Sequence, residues 1–573
     1  MPPTPHTLAH PDDWEEALGA VAGPQLVLAG PGTGKTQFLA HRAARLIEAG
    51  TPAPAVVVLT FSRRSASELE GRIENLLTRP ASGATATTFH SFAHRLVETS
   101  RAAQGRAMPV LMTGPEQVRL VGQLLSSEDP SRWPSPFRPL LSTVTFAAEV
   151  ADFVMRCQER LLTGPQLAEL AEKRADWSAL PAFLTAYRHA LDQTARVDYG
   201  TLLLEAVDVI SRGEHTDQFE YVLVDEYQDT SPVQTRLAES LAGPGGNITV
   251  AADPHQSIYS FRGADLDNVE GFVDRMKGRT GQDPTVWLLS RSLRVPAPIL
   301  ESARRIVAPN PVAGPLRLDV TPAAHPGTVE AYTFDQRSAE AEWIAGEVER
   351  LHRADGVQLR EMAVVVRSTR HLLPELSRAL ERRRIPHDRP DTRLVDHPAI
   401  RMIHDVVIAA TSAPNGDERR RAVRRLLLGP LLHLPLGLER DLVRRSRREG
   451  AGWPETIRQY LPDATSLADL IDDPTWATDL PAVQGFWHVW DNLPHLESLV
   501  IDPERGDYRA AWTSLARMLD RQSQRDTDIT LAAWFEATLA GDFEETPLLS
   551  FSRPEHDRLV VTTLHQAKGL EFQ

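Results

Sequence analysis

The chain has 573 residues, which at about 150 per domain is enough for roughly four folding units and too many for one small domain. Its 62 basic and 77 acidic residues give a formal charge of −15, and 42% apolar with 24% charged residues is ordinary globular composition, which excludes intrinsic disorder and collagen-like structure. No apolar run reaches the ~20 residues of a membrane helix, Met1–Glu16 has neither a basic start nor an apolar signal core, and the lone Cys157 excludes an internal disulfide or a multi-cysteine metal site. A cytoplasmic, reducing location is expected, with Cys157 a small buried residue. The acidic total argues against a uniformly basic nucleic-acid coat but leaves local basic grooves open.

In chain order, Gln25–Ala29 reads as a short apolar strand, and Gly30–Thr36 (GPGTGKT) leads from it into a helical pattern through Phe38, Leu39, Ala43 and Leu46. Further strand-like runs are Val56–Thr60, Thr85–Thr88, Tyr221–Val224 and Ile248–Ala251. Strands separated by helical stretches indicate a parallel α/β sheet. Between about Arg95 and Val197 that rhythm stops, and a Leu/Ala/Arg-rich helical insertion is expected, interrupted at Pro130–Pro139. A second α/β series is expected to open at Val286–Leu289 and to continue at Thr328–Phe334, Met362–Val366 and Leu559–Thr562. The stretch Ala308–Pro326, with five prolines, reads as a linker or long loop. A second helical insertion spans roughly 396–552, with Trp476, Trp487 and Trp490 expected in its core. The plan is two α/β domains, each interrupted by helices.

The chemistry concentrates after the strands. Ala29-x4-Gly34-Lys35-Thr36 is a phosphate-binding loop with alanine at the first glycine position. Glycines let backbone N–H groups turn towards phosphate oxygens at a helix N-terminus, Lys35 supplies a point charge, and Thr36 offers a hydroxyl to Mg²⁺. Asp225 and Glu226 close the Tyr221–Val224 run. A carboxylate there suits a magnesium ion, and its neighbour suits orienting and deprotonating an attacking water. Gln228, Asp229 and Thr230 follow at once, and Asp253–Tyr259 follows the next strand.

Six segments, in order, closely resemble UvrD/Rep/PcrA-type superfamily 1 DNA helicases: Ala29–Thr36, Val56–Leu69 (VVVLTFSRRSASEL), Thr87–Leu96 (TTFHSFAHRL), Val224–Thr230 (VDEYQDT), Ala252–Ala264 (ADPHQSIYSFRGA) and Thr563–Phe572 (TLHQAKGLEF). LTFSRRSA is similar also to RecB-like and AdnAB-like helicase-nucleases. The resemblance implies two RecA-like P-loop domains with helical insertions: domain 1A at 1–94 and 198–285, insertion 1B at 95–197, domain 2A at 286–395 and 553–573, and insertion 2B at 396–552. It implies ATP-driven 3′→5′ movement on single-stranded DNA, in repair or recombination, with ATP and Mg²⁺ as cofactors. The nucleotide would be held by Gly30, Pro31, Gly32, Thr33, Gly34, Lys35, Thr36, Gln37, Arg294 and, at the ribose, Glu571. Thr36 and Asp225 would hold the metal, Glu226 the water, Gln256 would sense the γ-phosphate, and Arg294 would stabilise its charge when domains close.

For single-stranded DNA the resemblance points to Phe61, His90, Tyr259, Phe261, Arg262 and His565, whose aromatic faces suit stacking on bases without sequence preference. Phe261 stands where such helicases often carry tryptophan. Between Asp417 and Arg448 ten arginines face four acids, net +6, and this window reads either as solvated helices or as a patch for duplex phosphates and DNA junctions, Arg419 to Arg448. Trp14, Gln37 and Leu293 replace the glutamine, arginine and tyrosine of the usual adenine pocket, so relaxed base specificity is expected. The sequence ends after GLEF, ahead of the family's last motif, so an incomplete second sheet is expected, along with an alternative function: an ATP- and DNA-binding scaffold, or the motor part of a longer helicase-nuclease.

Overall fold

A computed structural model describes residues 5–19, 22–78, 86–214, 218–259, 263–307, 320–368, 371–387, 394–414, 416–501, 506–523, 528–539, 557–570 and 572. The chain divides into two compact units, residues 1–112 with 117–332 and residues 113–116 with 333–573.

The first unit is α/β. Its strands are β1 (His6–Leu8), β2 (Gln25–Ala29), β3 (Val56–Thr60), β4 (Ala86–Thr88), β5 (Val110–Leu111), β6 (Arg196–Val197), β7 (Tyr221–Val224), β8 (Ile248–Ala252), β9 (Thr285–Leu289), β10 (Arg291–Pro296) and β11 (Thr321–Ala323). Seven of them form one parallel sheet in the order β1-β9-β2-β8-β7-β3-β4. The near-continuous apolar runs follow from burial on both faces. Leu26 and Leu28 pack one way with Phe89, Phe92 and Leu237, while Val27 and Ala29 pack the other way with Phe38, Leu39 and Ile73. All strands being parallel, the loops after β2, β7 and β8 gather at one sheet edge, where open α/β sheets bind ligands.

The strand expected to begin a second sheet does not do so. β9 pairs with β1 and β2 inside the first sheet, so the expected break at 285/286 falls at its start rather than between two domains. Single strands of this kind carry no mark of which sheet they join; only the register Gln25↔Thr285 to Ala29↔Leu289 decides it. Thr328–Phe334 is not a strand, because no described segment pairs with it and Val329 and Tyr332 are exposed. Within the expected linker, Thr321–Ala323 pairs with β10, its proline tolerated at a two-stranded edge. Residues 308–319 lie outside the described set.

The helical insertion of this unit comprises Gly114–Ser127, Val144–Glu159, Gly164–Lys173 and Leu180–Gln193, closed at its base by the β5–β6 pair. The helix at its entrance, Phe89–Ala103, runs through the expected boundary at 95. Cys157 is buried, and burial pushes its thiol up to about 11.

In the second unit, β12 (Ala363–Val366) pairs in parallel with β13 (Val560–Thr563), packed by helices Arg337–Arg353 and Leu373–Arg382. The remainder is helical, from Pro398–Thr411 to Leu531–Leu539, around one large core. Trp476 is in that core and Trp490 packs on it, but Trp487 is 46% exposed. The reason is helical phase: Phe486, Val489 and Trp490 share one stripe of Ala482–Asn492, and Trp487 is turned about 100° from Phe486.

Candidate nucleotide-binding site

The site is built by three strand ends. After β2 the chain turns through Gly30–Gly34 and enters the helix Lys35–Glu48. Gly32 and Gly34 have φ of +69° and +95°, conformations that favour glycine. Space forbids a side chain as well: a Cβ on Gly32 would lie 2.7 Å from Ser292 Oγ and 3.0 Å from Val295 Cγ2. The loop carbonyls are tied outwards, since Leu293 N–H donates to Gly32 O (2.8 Å), Ser292 Oγ to Pro31 O (3.0 Å) and Thr33 Oγ1 to Gly30 O (2.9 Å). No side chain caps the helix at Gly34, so its first-turn N–H groups and positive dipole end face the loop.

Lys35 is 8% exposed, with Nζ 3.8 Å from Glu226 Oε2 and 3.9 Å from Asp253 Oδ2. Burial works against its charge, but Glu226, Asp253, Asp225 and Asp229 together raise its pKa above the usual lysine value. Asp225, directly after β7, accepts from Thr36 Oγ1 at 2.9 Å and from its neighbour's N–H at 3.0 Å. Burial first, then repulsion from Glu226, pushes its carboxyl up to about 6, against the pull of Lys35 and Thr36. Glu226 sits at φ +52° and ψ +42°, a left-handed turn that a β-carbon disfavours by about 1–2 kcal/mol. Four buried or half-buried carboxylates around one ammonium leave the site with an excess of acidic groups.

The donor set fits a magnesium nucleotide. The loop is a cradle that a Cβ would fill, and the Thr36 hydroxyl beside the Asp225 carboxylate is the hard-oxygen pair that Mg²⁺ accepts when phosphate and water complete its shell. Arg294 is exposed, and its Cβ lies 3.4 Å from where a Cβ on Gly32 would stand, which places it beside the phosphate loop. Gln256 donates through Nε2 to Asp253 Oδ2 at 2.7 Å.

Several residues expected to meet DNA follow strands of the first sheet. Half-buried Phe61 leaves β3 and tilts against Phe89 (5.8 Å between rings), and His90 leaves β4 edge-on to Tyr199 (5.2 Å, 88°). Burial lowers the His90 pKa to about 4, so the ring is neutral at pH 7. Tyr259 is half-buried in the loop after β8, and His565 is exposed after β13 in the second unit. Phe261, Arg262 and Glu571 lie outside the described residues.

Residues 11–277 match the UvrD/REP helicase N-terminal domain family. The chain is 24% identical to the ATP-dependent DNA helicase PcrA of Bacillus subtilis over 97% of its own length and 75% of that protein's. It is 27% identical to DNA helicase II of Escherichia coli over 62% of the chain and 48% of the relative, and 27% identical to DNA helicase II of Haemophilus influenzae over 52% and 40%. Residues 11–277 thus match a UvrD/REP helicase N-terminal domain, and the chain as a whole is similar to ATP-dependent DNA helicases of the UvrD/Rep/PcrA type.

The structure also places the three departures from the usual adenine pocket. Trp14 is 3% exposed and packs edge-on against Phe38 (5.3 Å) and His41 (6.0 Å), and its rim reaches within 3.2 Å of a Cβ built on Gly34. Leu293, 42% exposed, approaches the same point at 3.6 Å, and Gln37 is exposed. Two residues of the site carried no assigned role in the sequence reading. Asp253, wholly buried, is the second carboxylate on Lys35, and Gln228, also wholly buried, bridges Glu226 to Asp253. Asp253 was visible as the polar residue directly after a buried strand, and Gln228 as one of the polar residues in the turn that follows β7.

The arginine window forms two helices, Asp417–Leu428 and Leu436–Glu449. Much of its charge is spent locally. Arg425 makes three hydrogen bonds to buried Asp405, Arg424 pairs with Glu439, Arg420 with Asp417, Arg444 with Asp441 and Arg448 with Glu449. Arg445 lies over the Tyr460 ring at 4.7 Å, and Arg419 donates to Ala410 O. Arg421, Arg440 and Arg447 have no side-chain partner among the described residues.

Proposed function

We propose that this chain is an ATP-hydrolysing motor that moves 3′→5′ along single-stranded DNA, in the cytoplasm, in DNA repair or recombination. The observation that carries the reading is the convergence of Lys35, Thr36, Asp225, Glu226 and Asp253 at the carboxyl edge of one parallel sheet, with Arg294 beside the loop. Lys35 and the uncapped helix bind phosphates. Thr36 and Asp225 would hold Mg²⁺, which neutralises phosphate charge when bound. Glu226 orients the attacking water and takes its proton on a carboxylate oxygen. Arg294 approaches the terminal phosphate, Glu571 holds the ribose, and Gln256 links the loop after β8 to the adjoining DNA-side residues Tyr259, Phe261 and Arg262.

The domain plan goes with this reading: two RecA-like domains, 1A and 2A, carrying insertions 1B and 2B. On the DNA side Phe61, His90, Tyr259, Phe261, Arg262 and His565 contact the strand, while Arg421, Arg440 and Arg447 supply the duplex-phosphate contacts of the helical insertion. Trp14 and Leu293 crowd Gly34 with ring and methyl carbons, which supports weak discrimination between adenine and guanine. The test is single-stranded-DNA-stimulated ATP hydrolysis by the wild-type chain and by Lys35→Ala. Stimulated turnover that Lys35→Ala abolishes supports the motor, and nucleotide binding without turnover in the wild type replaces it with a scaffold.

A further inference from the structure

We propose that Gln228 is a positioning residue for hydrolysis, its buried carboxamide holding the Glu226 carboxylate away from Lys35 and fastening it to the loop that carries Gln256. The inference rests on the motor reading above and adds to it a residue to which that reading gives no role.

Gln228 is wholly buried. Its Nε2 donates to Glu226 Oε2 at 2.5 Å, and its Oε1 accepts the Asp253 N–H at 2.9 Å. Chemistry leaves one orientation of this amide: a carboxylate only accepts and a backbone N–H only donates, so a flipped carboxamide would set oxygen against oxygen and N–H against N–H. The loops after β7 and β8 are therefore pinned together through one side chain. Asp253, itself wholly buried, then accepts Gln256 Nε2 at 2.7 Å and the His255 N–H at 3.0 Å. Lys35 closes the ring, 3.8 Å from Glu226 and 3.9 Å from Asp253.

Those last two distances define the task. Both exceed hydrogen-bonding length, so Lys35 is held between two carboxylates and bonded closely to neither. A glutamate freed from Gln228 has rotatable bonds enough to close on the ammonium and form a direct pair. That movement would remove Glu226 from the position of the water. Glu226 also sits in a left-handed conformation that its own β-carbon disfavours, so its placement depends on surrounding bonds. Gln228 supplies one such bond, from another side chain directly to the Glu226 carboxylate.

The experiment uses the full 573-residue chain with Gln228→Met, which keeps the shape and removes both hydrogen bonds, and Gln228→Glu, which keeps the acceptor and sets a second carboxylate against Glu226. Three quantities are read for each: kcat for ATP hydrolysis at saturating oligothymidylate, the Kd for a fluorescent ATP analogue, and the melting temperature. The expected result is a kcat lowered roughly tenfold to a hundredfold, with Kd and melting temperature near wild type and Gln228→Glu the slower variant. A kcat within about twofold of wild type in either folded variant overturns the assignment. So does a parallel fall of kcat, nucleotide affinity and melting temperature in both, which would mean that Gln228 only supports the loop. An active wild type with unaffected variants strikes Gln228 alone, whereas a wild type without hydrolysis strikes the motor reading and takes this inference with it.

Discussion

Two regions of this molecule concentrate charge, and they handle it in opposite ways. At the sheet edge, Lys35, Glu226 and Asp253 are buried or half-buried, held by strand ends and left at distances beyond hydrogen bonding. On the helices Asp417–Leu428 and Leu436–Glu449, the arginines are mostly exposed and most are neutralised by a carboxylate, carbonyl or ring beside them. A few charges buried at unsatisfied distances mark a site that binds something; a long run of charge on a surface is largely consumed by its neighbours. The net +6 of the window thus overstates what is available to DNA.

The largest effect that distinguishes the two regions is expected from Glu226→Gln. It should lower kcat by roughly 10²–10⁴-fold while nucleotide binding persists, read by steady-state hydrolysis and equilibrium binding. Gly32→Ala comes next: at φ +69°, with Ser292 Oγ 2.7 Å from the new Cβ, it should destabilise the loop by about 1–3 kcal/mol and weaken nucleotide binding, read by calorimetry and thermal melting. In the arginine region, alanine at Arg421, Arg440 and Arg447 should flatten the slope of log affinity for duplex against log salt by up to about 3 units, leaving the melting temperature unchanged. An unchanged slope removes these helices from the DNA contact. Asp405→Ala, by contrast, should leave the slope alone and cost about 1–3 kcal/mol of stability, because it strips a buried partner from Arg425.

The smallest expected effect concerns pH. The folded His90 has its pKa lowered to about 4 by burial, against 6.5 when unfolded. The unfolded chain therefore binds the extra proton between those values, so the stabilisation is present above pH 6.5 and is lost as pH falls towards 4. His90→Gln should flatten that part of the stability profile, and a profile that keeps its slope assigns it to other groups.

The candidate nucleotide site was legible because its residues are local: loop, lysine and threonine are contiguous, and Asp225 follows its strand directly. Less legible were the partners that meet only in space. Gln228 reads as one polar residue in a turn, yet it joins two loops; Asp253 reads as a strand cap, yet it shares Lys35 with Glu226. Periodicity likewise finds strands without saying whom they pair with. Val286–Leu289 was expected to open a second sheet and instead fills the first, and Thr328–Phe334 has the alternation of a strand without a partner. Trp487 shows the same limit for helices, since adjacent Phe486 and Trp487 cannot both face one core.

What the sequence determined by itself is the parallel α/β character, the helical interruptions and the phosphate loop, because fully buried strands must be apolar throughout and a phosphate cradle must have glycine where φ is positive. What only the tertiary structure decided is the allegiance of β9, the charge left free on the arginine helices, and the bracket around Glu226. Each of these depends on distances between residues far apart in the chain, which no local pattern of residue types can encode.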